Sequence, residues 1–146
     1  MYILYYIMTE IECPVCYEKI QSEEELTILK CGHKYHYECI LNSFKMNHSG
    51  YENKRRQCPY CRVESDYLEL KPGLIPRRQI HEEYNDLKGK NIKLEQLEAF
   101  LLPDKCQAII MAGINKFNQC SRKHLDEKYC KLHKNYNGSK KIYLPM

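Results

Sequence analysis

Between residues 13 and 61, eight cysteine and histidine side chains fall into four short pairs: Cys13 with Cys16, Cys31 with His33, His36 with Cys39, and Cys58 with Cys61. No other feature of the 146-residue chain restricts its fold so tightly. Each pair has a spacing at which a tight turn aims two donors at one ion, and four such donors complete a tetrahedral zinc site. Eight ligands therefore make two sites. The stretch CGHKYHYEC, residues 31–39, holds four of them. By spacing alone it closes one site or divides its two pairs between two. Gly32 suits a turn at positive φ, and Pro14 and Pro59 stiffen the two CxxC turns. Tyr35 and Ile40 are expected to point away from the metals into a small core, and CILNSFKM after Cys39 reads as a short helix.

Burial alone offers little to hold such a chain together. Much of its 43% hydrophobic content comes from nine Cys and thirteen Tyr, and tyrosine usually keeps one end in water. An odd number of cysteines, mostly in CxxC and CxxH pairs, argues against a fully paired disulfide framework. A reducing compartment follows, the cytoplasm or the nucleus. MYILYYIM at the start is far shorter than the roughly 18 apolar residues of a membrane span and lacks the flanks of a signal peptide. It is read as an N-terminal tail, residues 1–9, with Met8 as a second candidate start; no membrane partner is expected.

The ordered ligand set, three cysteines, two histidines and three cysteines, resembles the RING finger of the two-histidine subtype over roughly residues 12–66. In that family the first and third pairs share one zinc and the second and fourth share the other, a cross-braced arrangement. The resemblance implies zinc 1 on Cys13, Cys16, His36 and Cys39, and zinc 2 on Cys31, His33, Cys58 and Cys61. Both sites are closed by four protein ligands, so these ions are structural and offer no position for a reacting water. No Ser/His/Asp set, phosphate-binding Gly loop or carboxylate pair stands out elsewhere, so any activity must come through a partner. The resemblance supplies one, since RING fingers of this kind act as ubiquitin ligases. They bind a ubiquitin-loaded conjugating enzyme and orient the thioester toward a substrate lysine, with no covalent intermediate of their own. Carried over by position, Val15, Pro59 and Tyr60 are apolar contacts to the conjugating enzyme. Arg62 stands where many members place a cation that bridges enzyme and ubiquitin, a role that suits a planar guanidinium. Where many members have Trp in the helix this chain has Ser43, and Phe44 next to it is taken as the replacement contact. The loop NHSGYENKRRQ is longer than usual, and His48 and the cluster Lys54, Arg55 and Arg56 within it are read as solvated.

Beyond a RING finger set at residues 10–70, residues 71–104 read as a loop and helical linker. PGLIPRR is the loop; the segment from Ile80 to Leu102 has helical composition, with Leu94, Leu97 and Leu101 spaced by three and four and Gly89 dividing it into two helices. This apolar stripe is expected to pack on one of the metal modules. Residues 105–136 hold the remaining cysteines, Cys106, Cys120 and Cys130, with His133 at CxxH spacing, a set that fits a third closed zinc site. His124 is read as a surface residue. The segment resembles small zinc-ribbon-like modules found in proteins of phages and large DNA viruses, among others. Together with a composition rich in Tyr, Ile, Lys and Asn, that suggests a viral source acting in a host cell. Residues 137–146 are a tail. The fold class expected overall is a small zinc-stabilised α+β protein: a cross-braced RING finger, a helical linker and a second small zinc module.

Charge separates the two ends. Residues 105–146 carry nine Lys and Arg against Asp126 and Glu127, a net +7, and leave −3 for the rest. Such a balance attracts acidic partners or nucleic acid. With Tyr129, Tyr136 and Tyr143 it fits a phosphate-plus-stacking surface, and the alternative function is a zinc-stabilised nucleic-acid-binding or adaptor protein in which the RING is only a scaffold.

Overall fold

The computed structural model describes residues 11–47, 55–113, 116–124 and 128–146. The N-terminal tail with Met8, and His48 and Lys54 of the long loop, lie outside them. The chain divides into two compact units, residues 1–68 and 69–146. Among the described residues no helix is long and apolar enough to cross a membrane.

In the first unit, strand β1 (Leu26–Ile28) pairs antiparallel with β2 (Lys34–His36), Thr27 opposite Tyr35. A turn at Leu29–Gly32 joins them. Gly32 has φ +88° and its N–H donates to the Leu29 carbonyl at 2.8 Å. No atom lies within 4 Å of where a Cβ would sit, so backbone angle rather than space calls for glycine here. Helix α1 (Tyr37–Met46) follows β2 directly, with acidic Glu38 in its first turn and basic Lys45 in its last, as the helix dipole favours. Tyr37, Ile40, Leu41 and Phe44 are buried at the three-and-four spacing of one helical face.

The two CxxC turns are built alike. The Tyr17 N–H donates to the Cys13 carbonyl and the Cys13 N–H to Glu18; the Arg62 N–H donates to the Cys58 carbonyl and the Cys58 N–H to Val63, all at 2.8–2.9 Å. Each turn then closes with a short antiparallel bridge, Glu12 with Lys19 and Gln57 with Glu64. Tyr17 and Arg62, the residues after each second cysteine, adopt φ of 62° and 63°. Both sit in the left-handed region that side chains normally avoid.

The second unit brings together the middle and the C-terminal third of the chain. Helix α2 (Tyr84–Leu87) is a single turn, strand β3 (Asn91–Lys93) follows, and a 3-10 helix spans Leu94–Phe100. Strand β4 (Lys141–Tyr143) pairs antiparallel with β3, Ile92 opposite Ile142. The two helices expected of this segment are therefore shorter, with a strand between them, because residues 91–93 find a partner strand near the C-terminus. Gly89 does mark the break. It turns at φ +73° and its N–H donates to the Leu144 carbonyl at 2.7 Å. The leucine stripe packs inward as expected: Leu94, Leu97 and Leu101 are buried with Ile75, Tyr84, Ile92, Ile109 and Leu144. Farther along, residues 106–110 and 117–122 run as an irregular antiparallel ribbon, with Cys106 N–H donating to Arg122, Cys120 N–H to Ala108 and Phe117 N–H to Ile110.

Candidate metal centres

Three groups of four side chains place their donor atoms within 4.8 Å of one another: Cys13, Cys16, His36 and Cys39; Cys31, His33, Cys58 and Cys61; and Cys106, Cys120, Cys130 and His133. The first two are the crossed pairing that the resemblance implies, so CGHKYHYEC feeds two sites and not one. The antiparallel pair β1–β2 explains the crossing. Cys31 and His33 lie in its turn, whereas His36 ends β2 and Cys39 lies in the first turn of α1, which carries the two donor pairs to different neighbours.

The donors fit zinc. With Zn–S near 2.3 Å and Zn–N near 2.0 Å, the edges of a tetrahedron are about 3.5 Å between sulfur and nitrogen and about 3.8 Å between sulfurs. His36 Nδ1 lies 3.3 Å from Cys16 Sγ and 4.0 Å from Cys39 Sγ. His33 Nδ1 lies 3.2 Å from Cys31 Sγ and 3.5 Å from Cys58 Sγ. In the third group His133 Nδ1 lies 3.5 Å from Cys106 and 3.3 Å from Cys130, with Cys120 and Cys130 sulfurs 4.0 Å apart. All three imidazoles turn the same nitrogen inward. Three thiols and one imidazole on each site suit a borderline-soft divalent ion, and all nine cysteines are used without a disulfide. His124 belongs to none of the three groups.

Each site also holds one thiol ready to ionise. Burial pushes Cys13 up, yet the backbone N–H groups of Cys16, His36 and Val15 outweigh it and bring the thiol down to about 6. Burial likewise opposes Cys58, which the Tyr35 hydroxyl and the N–H groups of Cys61 and Tyr60 bring down to about 6. Cys130 falls to about 6 against its burial, through N–H groups of His133 and Leu132. A second cysteine in each site moves the other way, Cys39 to about 12 by burial and by its neighbours Cys16 and Cys13, with Cys31 and Cys120 also raised, burial first. Like charges this close resist ionising together until a cation joins them.

Tyr35 departs from the sequence reading. Its ring is buried in the core as expected, but its hydroxyl lies 3.0 Å from Cys58 Sγ and so touches a zinc ligand. Nothing in the spacing distinguishes a tyrosine that merely fills the core from one that reaches a sulfur. Among the proposed partner contacts, Val15 is 39% and Tyr60 72% exposed, and Pro59 and Arg62 are exposed as well. Tyr60 also packs on the His33 ring at 4.7 Å. Phe44 is a correction. It is fully buried on the inner face of α1 and cannot meet a partner, while Ser43 beside it spends its hydroxyl on the Cys39 carbonyl at 3.0 Å. Arg56 is not a solvated loop residue either. Its guanidinium lies 4.0 Å over the Tyr67 ring and its Nε donates to the Ser65 carbonyl at 3.0 Å.

In the third site the linker and the metal ligands are fastened together. Gln119 is buried and bonds the Leu102 N–H, the Leu102 carbonyl and the Cys106 carbonyl at 2.7, 2.8 and 3.1 Å. Lys128 pairs with Glu98 of the 3-10 helix at 2.7 Å. Tyr136 packs on Tyr129 and edge-on to His133, and its hydroxyl accepts the Ile109 N–H at 3.2 Å. Two of the three tyrosines nominated for stacking on bases are therefore packed against each other, tilted by 53°, and Tyr143 alone of them is exposed.

Residues 11–62 match the family model described as Ring finger domain. The chain is 33% identical over 84 residues to E3 ubiquitin-protein ligase RNF181 of Danio rerio, a match covering 54% of this chain and 49% of that protein. It is 32% identical over 93 residues to the E3 ubiquitin-protein ligase RNF181 homolog of Drosophila melanogaster, covering 60% and 54%. To the E3 ubiquitin ligase BIG BROTHER-related of Arabidopsis thaliana it is 36% identical over 56 residues, covering 38% and 14%. The chain thus spans about half the length of the first two of these relatives. No solved structure matches it.

Proposed function

We propose that this chain, a RING-finger protein over residues 11–62, is a ubiquitin ligase that holds a ubiquitin-loaded conjugating enzyme and promotes transfer to a substrate lysine. The observation that carries the proposal is the pair of matching CxxC turns, each anchored in a four-donor site and each presenting an exposed apolar residue, Val15 in one and Tyr60 beside Pro59 in the other. Zinc, once bound, supplies rigidity; its four protein ligands leave no open position for chemistry. The chain's own contribution is placement. Val15, Pro59 and Tyr60 give the conjugating enzyme apolar surface to bury. Arg62, exposed at the end of its turn, presents several donors on a rigid plane. Holding a tethered ubiquitin in its reactive orientation lowers the entropic part of the barrier.

The test is discharge of ubiquitin to free lysine from a panel of loaded conjugating enzymes, with zinc content verified. Arg62→Ala and Val15→Ala are expected to slow discharge by about 10- to 100-fold, the scale on which lost positioning is felt. A zinc-replete wild type that is inert across the panel would reject the proposal. The second reading, a nucleic-acid-binding or adaptor protein, draws support from the exposed cations Arg122, Lys123, Lys131, Lys134, Lys140 and Lys141. Steeply salt-dependent binding of DNA or RNA would be its signature.

A further inference from the structure

The third metal centre repeats, at its own turn, the feature that makes the RING turns useful. In CPVC, CPYC and CKLH the residue just before the second ligand is apolar and exposed: Val15, Tyr60 and Leu132. Leu132 is 69% exposed, although it sits between the buried Cys130 and the ligand His133. Its backbone is not loose. Residues Lys131–His133 form a 3-10 turn, the His133 N–H donates to the Cys130 carbonyl at 2.9 Å, and the Tyr136 N–H donates to His133 at 2.9 Å. A preorganised apolar tip loses little entropy on binding.

The two turns of this metal centre expose cations. Lys131 and Lys134 flank Leu132 and are exposed, and the turn after Cys120, which serves the same site, exposes Arg122 and Lys123. Lys128 is different, since Glu98 holds it at 2.7 Å. No acidic residue occurs from Lys128 to the C-terminus; Asp126 and Glu127, the two acids of residues 105–146, lie outside the described residues. An isolated exposed leucine is ordinary on a protein surface, but one held in a hydrogen-bonded turn beside Lys131 and Lys134, at a metal centre whose other turn exposes Arg122 and Lys123, is matched to a definite chemistry.

We infer that Leu132, Lys131, Lys134, Arg122 and Lys123 form a docking surface for an acidic protein segment that carries an apolar side chain, the apolar group burying Leu132 and the carboxylates meeting the cations. Protein is favoured over nucleic acid because Leu132 has no use for a phosphate, and because Tyr136, which packs edge-on to His133, and Tyr129 are committed to each other and to the Ile109 N–H. As the place where a substrate is captured, this surface rests on the ligase reading; as a binding surface it stands without it.

The experiment is selection of random peptides displayed on phage against the full-length zinc-loaded chain, followed by anisotropy titration of the enriched peptides and of a single-stranded and a double-stranded oligonucleotide. Enrichment of acidic peptides bearing Leu, Ile or Phe is expected. Leu132→Asp, with its zinc content unchanged, should weaken them by about tenfold or more, as loss of one buried leucine implies. The double variant Lys131→Glu, Lys134→Glu should turn the selection away from acidic peptides. Discharge of ubiquitin is read separately on the same wild-type preparation, so its absence rejects the ligase reading without touching the binding result. Failure to enrich acidic apolar peptides, binding indifferent to Leu132→Asp, or an oligonucleotide that binds through the lysines regardless of Leu132 would overturn the inference.

Discussion

At the scale of single residues, the first two metal sites depend on side chains that are not ligands. The Tyr35 hydroxyl beside Cys58 is the clearest case, because a hydrogen bond to a coordinating sulfur tunes its basicity and fixes its direction. Tyr35→Phe keeps the ring that fills the core and removes only that bond. We expect affinity at the Cys31, His33, Cys58 and Cys61 site to fall about tenfold, read by competition with a chromogenic chelator, with the other two sites unchanged. The sign of the pH effect follows from the lowered Cys58 thiol. Its contribution is full above its ordinary value of 9.0, shrinks as the pH falls, and is gone below about 6. Without the hydroxyl the thiol moves back up, so acid should release this zinc at a higher pH in the variant. Tyr17 makes a complementary case. Its φ of 62° costs a side chain about 1 kcal/mol that glycine would not incur. Tyr17→Gly should therefore raise the stability of the zinc-loaded protein by up to about 1 kcal/mol in a urea titration.

At the scale of elements, no helix or strand among the described residues is long enough to stand by itself. Strands β1 to β4 have three residues each and α2 has four, lengths at which isolated hairpins and helices are unstable in water. Neighbours supply the stability. The 3-10 helix is held because Leu94 and Leu97 are buried under it and because Gln119 and Lys128 grip its end and its outer face. Leu97→Ala should cost about 3 kcal/mol, the ordinary loss for a fully buried leucine, seen as a lower urea midpoint for the zinc-loaded chain. Helix α1 is the exception that could be read directly, since ten residues with a three-and-four apolar spacing describe one buried face. The same spacing explains the misplaced Phe44. Counting positions from the sixth ligand set it among the partner contacts, but it falls in register with Tyr37, Ile40 and Leu41 and so turns inward.

At the scale of the whole molecule, metal takes the place that a large core fills elsewhere. Two units of about 70 residues each bury too little apolar surface to be secure by burial alone, and the described residues hold three closed four-donor groups. Atomic absorption should find three zinc ions per chain; two would discount the C-terminal group. Prolonged chelation should unfold the first unit, whose two sites share the β1–β2 hairpin, and zinc should restore it.

The sequence by itself determined the ligands. Cysteine and histidine at knuckle spacing mark ten of the twelve donors, and Cys106 and Cys120 follow as the remaining cysteines, while the short helix α1 and the positive φ at Gly32 were legible from local sequence. Only the tertiary structure decided what depends on distant segments. Strand β3 exists because residues 141–143 return to pair with it, and the linker joins the C-terminal metal site through Gln119, Glu98 and Tyr136. Tyr35 meets a sulfur 23 residues away. Local spacing encodes a ligand pair because both donors share one turn, whereas a contact across the fold has no spacing to betray it.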